Sequence, residues 1–132
     1  MDIYSSFLIL ISGIVSGLII FQSIFVAPTV FKSLPEEVRP KFLREVFPKL
    51  FRSMALLGII FLIICFVKPT SNFLQYFVGC STFLFGITCY AIVPATNNAK
   101  DSGDSRKFSL LHSISVFLTM SVLLINLFWI FF

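Results

Sequence analysis

From Phe108 to Phe132 the chain carries no Asp, Glu, Lys or Arg. A helix needs about 20 apolar residues to cross about 30 Å of hydrocarbon, and this run meets that length. Three further apolar runs lie at about 3–31, 50–67 and 73–94. In lipid every backbone N–H and C=O must find a partner inside the protein, and a helix supplies those partners from its own backbone. The four runs therefore predict an all-α integral membrane protein. Its single domain, 1–132, is a four-transmembrane-helix bundle. Composition agrees with a lipid solvent. Hydrophobic residues make up 58% and charged residues 12%, against about 45–50% and about 25% in soluble domains. Eighteen phenylalanines in 132 residues are more apolar surface than a water-soluble fold of this size can hide. No Lys or Arg precedes the first run and no small-residue cleavage site follows it, so it reads as a retained span.

The basic residues are distributed unevenly. Lys32, Arg39, Lys41, Arg44, Lys49 and Arg52 separate runs one and two, and Lys100, Arg106 and Lys107 separate runs three and four. Only Lys68 lies between runs two and three. The positive-inside rule then predicts cytoplasmic loops at 32–49 and 95–107, with both termini outside, as in a bacterial inner (plasma) membrane. On this reading the net charge of +4 belongs to membrane flanks, and no nucleic-acid partner is expected. Trp129 is expected to anchor the outer interface. The first loop also predicts a short amphipathic interfacial helix between spans one and two. Ser33 and Glu36 have capping-box spacing, Pro35 suits a first turn, and Val38, Phe42 and Val46 share a face. Pro40 and Pro48 are expected to limit or bend it.

Polar residues inside spans are costly, so their spacing is informative. His112, Ser115, Thr119, Val122 and Asn126 recur at three- and four-residue steps and predict one inward face on span four. In span one, Ser12 lies over Ser16 and Gly13 over Gly17, a small-residue pattern that admits another backbone and points to homo-oligomers or a membrane-protein partner. At 1.5 Å per residue, His112 lies about 6 Å and Gln22 about 13 Å from the ends of their spans on the basic side. A polar pocket facing the cytoplasm is predicted there, with Gln22, Thr29, Asn97, Asp101, Asp104, His112 and Ser115 as its candidate binding residues. Asn126 lies too near the opposite face to join it. No catalytic residue is assigned, because Ser109 and Ser113 beside His112 lack a nucleophile elbow. No metal site is assigned either. His112 is the one weak candidate ligand, without a second His or zinc-like spacing. No cofactor is predicted, haem at His112 being the lesser alternative. Cys65, Cys80 and Cys89 form no CxxC pair and read as buried, unreactive thiols.

The stretches "SGLIIFQSIFVAPTVFKSLP", "VFPKLFR" and "IVPATNNAKDSGDSRKFSLLHSISV" resemble the transmembrane-protein-205-like family, also described as domain-of-unknown-function family 4149. The likeness covers nearly the whole chain and implies a small four-span membrane protein. It brings no residue roles with it. A weaker similarity, to four-helix membrane proteins of the copper-resistance and protoporphyrinogen-oxidase type, lacks the histidine in span one. The expected function is a non-enzymatic packing, binding or accessory subunit in the lipid bilayer. The alternatives are a transport element for a small solute or metal, and a haem or metal oxidoreductase using His112.

Overall fold

The computed structural model describes residues 2–132. Four helices, long and apolar enough to cross a membrane, make up the fold: α1 (Ile3–Ser33), α2 (Arg39–Val67), α3 (Phe73–Asp101) and α4 (Ser105–Phe131). No strand occurs among the described residues. The helices alternate in direction, so the termini and the 68–72 loop share one end. The two basic loops share the other, called here the basic end. Around the bundle, α2 packs on α3, α3 on α4, α4 on α1 and α1 on α2. Large apolar side chains face outward, among them Phe66, Phe73 and Phe117. That arrangement is stable only where the solvent is itself apolar.

The closest helix pair is α2–α3, and glycine makes it so. A Cβ built on Gly58 would lie 2.5 Å from the backbone nitrogen of Phe83, and one on Gly86 would lie 2.8 Å from that of Ala55. Without a hydrophobic driving force between helices in lipid, such close backbone approach supplies the dispersion contacts that hold them. Leu8, Val15, Met54, Phe61, Val78 and Val122 fill the buried centre. Cys65 and Cys89 are buried as expected, whereas Cys80 is exposed.

Helix ends follow the local sequence. Asn72 and Gln75 form a reciprocal capping box at the start of α3, and the Asp104 carboxylate accepts the Lys107 N–H at the start of α4. Gly103, at φ +73°, makes the left-handed turn between α3 and α4 that a side chain would resist. The expected amphipathic segment is helical from Arg39, but it runs without a break into span two. Pro48 sits within that helix. It removes one backbone hydrogen bond, and the remaining ladder carries the helix past it. Ser33 does not cap this segment; it is the last residue of α1. α3 likewise continues through Pro94 to Asp101. The apolar runs mark the hydrocarbon portion of each helix, and the backbone ladder extends beyond it.

Candidate functional site

One irregularity breaks α1. Residues Phe21–Val26 form a π-helical turn in which the Ala27 N–H donates to the Gln22 carbonyl, five residues back. The cause lies just downstream. Pro28 has no N–H, and its ring crowds the carbonyl four residues before it. Widening the preceding turn accommodates both effects. Such turns recur at functional sites in proteins generally.

The widened turn has two consequences. Gln22 is carried inward and is only 6% exposed. Its amide Nε2 has no hydrogen-bond partner. The segment beyond Ile20 also stands off from the bundle, since α1 makes its close approaches to α2 and α4 through Ile3–Ile20. A furrow of about 250 Å³ remains between this segment and the start of α2, lined by Phe21, Phe25, Val26, Thr29, Val30 and Phe42. Arg39 lies at the start of α2, one helical turn before Phe42. Its Nε donates to the Leu34 carbonyl at 2.8 Å, and its guanidinium lies 5.8 Å from the centre of the Phe31 ring.

The other predicted site residues fall elsewhere. Thr29 is exposed and lines the furrow. Asn97 is half-buried on α3. Asp101 forms an ion pair with Arg44, joining the start of α2 to the end of α3. Asp104 caps α4. His112 is exposed and stacks on Phe108 with centroids 5.7 Å apart, while the Lys100 ammonium lies 5.0 Å from the Phe108 ring centre. Ser115 is half-buried, and its carbonyl accepts the Thr119 hydroxyl at 2.7 Å. The inward stripe on α4 thus holds at Thr119, Val122 and Asn126 and turns outward by His112. Gln22 faces inward and His112 outward. Among the described residues no three His, Cys, Asp or Glu side chains gather where one metal ion could be held.

Polar links beyond the Arg44–Asp101 pair also escaped the sequence reading. The Asn126 Nδ2 donates to the Thr82 hydroxyl at 2.8 Å inside the bundle. The Trp129 indole N–H donates to Ser12 at 2.8 Å, so Trp129 ties α4 to α1 as well as lying near the helix end. At the termini end, buried Lys68 donates to Ser5 at 2.9 Å and lies 3.7 Å from Asp2. The Asp2 carboxyl is held below its ordinary range, first by the Ser5 backbone N–H it accepts, with the Ser5 hydroxyl and Lys68 adding to the effect. Only the furrow had a legible signal: a proline set in an apolar run, at "VAPT".

Comparison with known proteins gives one match. The profile of the family DUF4149, described as a domain of unknown function, matches residues 10–105. That span contains Gln22, the π turn, the furrow and the Arg44–Asp101 pair, and stops short of His112. No curated protein and no solved structure matches the chain.

Proposed function

This chain belongs to the DUF4149 family, and we propose that it is a non-enzymatic membrane protein that binds a ligand at the basic end of its bundle, beside the π turn of α1. The observation that carries this reading is the Gln22 amide, buried and unpartnered. Leaving a buried donor unsatisfied costs about 1–3 kcal/mol. Ser16 Oγ, Ser71 Oγ and Asn126 Oδ1 are also buried without a partner, but they lie away from the basic end. The amide is therefore read as kept for a molecule bound at this end of the bundle.

Gln22→Leu tests this. Leucine keeps the bulk and removes the unpaired donor. We expect the ligand-free protein in detergent to gain about 1 kcal/mol in unfolding free energy, and molecules that co-purify with the natural chain to be lost. A clear loss of stability instead means that the amide is already satisfied and the reading fails.

The same reading places the basic end in the cytoplasm of a bacterial inner membrane, on the Lys and Arg bias of the loops. With Ser102→Cys and Thr70→Cys variants in intact cells, a membrane-impermeant thiol reagent should reach position 70 and spare position 102. Equal labelling rejects the orientation. Kinship with the transmembrane-protein-205-like family, on the motifs around Pro28 and Pro94, belongs to this reading. So do homo-oligomers formed through the open Gly13 and Gly17 face of α1.

A further inference from the structure

We infer that the furrow between α1 and α2 is a site for an anionic phospholipid, with an acyl chain along Phe21, Phe25 and Phe42 and the phosphate on Arg39. The inference rests on the reading of this end as a ligand site, and it names the ligand class.

The wall is apolar apart from the Thr29 hydroxyl. At about 250 Å³ the furrow falls below the roughly 300–1,000 Å³ of sites that enclose a small molecule. It also lies open along the bundle surface, which suits a length of chain lying sideways in the bilayer. The basic rim separates a specific lipid from bulk lipid. Arg39 precedes Phe42 by one helical turn on α2, and Phe31, on which it stacks, follows Val30 on α1. Arg39 is thus tied to residues that flank the two walls along the chain. One donor is spent on Leu34, and a guanidinium has five, in a planar fork that matches phosphate.

No carboxylate touches the cations Arg39, Lys32 and Lys41 of this segment. Among the described residues the ion pairs are Arg44–Asp101 and Lys68–Asp2. Arg39, Lys32 and Lys41 thus have no carboxylate within 4.0 Å, although Glu36, Glu37 and Glu45 share their segment. A cation pre-positioned by a backbone carbonyl and an aromatic face, and left without an anion, is complementary to a lipid phosphate. Anionic lipids are concentrated in the leaflet that faces the cytoplasm.

Native mass spectrometry of the detergent-purified chain, offered equal phosphatidylglycerol and phosphatidylcholine, tests the assignment. The natural chain should retain phosphatidylglycerol about fivefold over phosphatidylcholine, the effect of one cation close to a lipid charge. Arg39→Gln should bring that ratio near one. Thr29→Trp, which fills the furrow from its exposed rim, should lower retention of both lipids. Inorganic phosphate in excess should leave phosphatidylglycerol bound. Equal retention of the two lipids by the natural chain overturns the assignment, as does an unchanged ratio in Arg39→Gln or displacement by phosphate alone. If Gln22→Leu gains stability while no lipid preference is found, the basic end remains a ligand site and the lipid is wrong. If the preference is found while Gln22→Leu loses stability, the lipid stands and the role given to Gln22 falls.

Discussion

Gly58→Ala should lower the stability of the bundle by about 2–3 kcal/mol, the upper part of the range for overpacking a tight site. The added Cβ would meet the backbone nitrogen of Phe83 at 2.5 Å and its Cα at 2.8 Å. Backbone cannot rotate aside, so α2 and α3 must separate along their contact. Gly58→Leu should prevent the pair from closing and leave little folded protein. Gly86→Ala should behave like Gly58→Ala, because its obstacle is the backbone nitrogen of Ala55 at 2.8 Å. Gly79→Ala should cost less, since the nearest atom, also at 2.8 Å, is a terminal methyl of Leu62 that can move. Gly13 and Gly17 are the controls. Nothing lies within 4 Å of a Cβ at either position, so in dilute micelles, where the chain is monomeric, alanine there should stay within about 0.5 kcal/mol of the natural chain. Unfolding of the purified chain in mixed micelles, followed by circular dichroism, measures all five positions. Equal effects at Gly58 and Gly17 would mean that the α2–α3 crossing is not as close as described.

Trp129→Ala should cost about 3 kcal/mol, the lower end for truncating a large aromatic, because the ring is only half-buried. The indole stands edge-on to Phe61 with centroids 5.8 Å apart and planes at 80°. Its N–H is the partner of Ser12, which is 2% exposed. Alanine removes the ring contact and leaves the Ser12 hydroxyl without that donor. Trp129→Phe keeps most of the ring and loses the hydrogen bond, so about 1 kcal/mol is expected, near the measured worth of such bonds between membrane helices. Ser12→Ala in the Trp129→Phe background should add almost nothing, since the bond is already gone. Full additivity of those two changes would show that Trp129 and Ser12 do not meet. The chain has a single tryptophan, so its fluorescence reports on the same contact as the bundle unfolds.

The Trp129 case shows where sequence reasoning stops. An aromatic near a helix end reads as an interfacial anchor, and nothing in the neighbouring residues announces a serine more than a hundred positions away. The α4 stripe was legible in part. Thr119, Val122 and Asn126 turn inward as their spacing required, while His112, on the same arithmetic, lies outside. Toward the basic end α4 still lies beside α3, with Phe108 and Leu111 half-buried, and His112 falls on the outward side of that contact. Asp104 was expected in the pocket; its place as the α4 cap depends on three or four adjacent residues and so was readable. The pairing of Asp101 with Arg44 was not, because it depends on how two separate helices end.

The number of helices, their approximate positions and the apolar solvent were decided by the amino-acid sequence alone. Hydropathy belongs to each residue, and in lipid a helix satisfies its backbone locally, so neither needs knowledge of the neighbours. The tertiary structure alone decided which glycines carry a close crossing and which lie open. It alone turned Gln22 inward, and it left a furrow beside an unpaired arginine. The reason is rotational: a helix in hydrocarbon gains little from turning one apolar face rather than another toward its neighbours. Its setting about its own axis is fixed by steric fit and by a few polar pairs, and these exist only after the helices have come together.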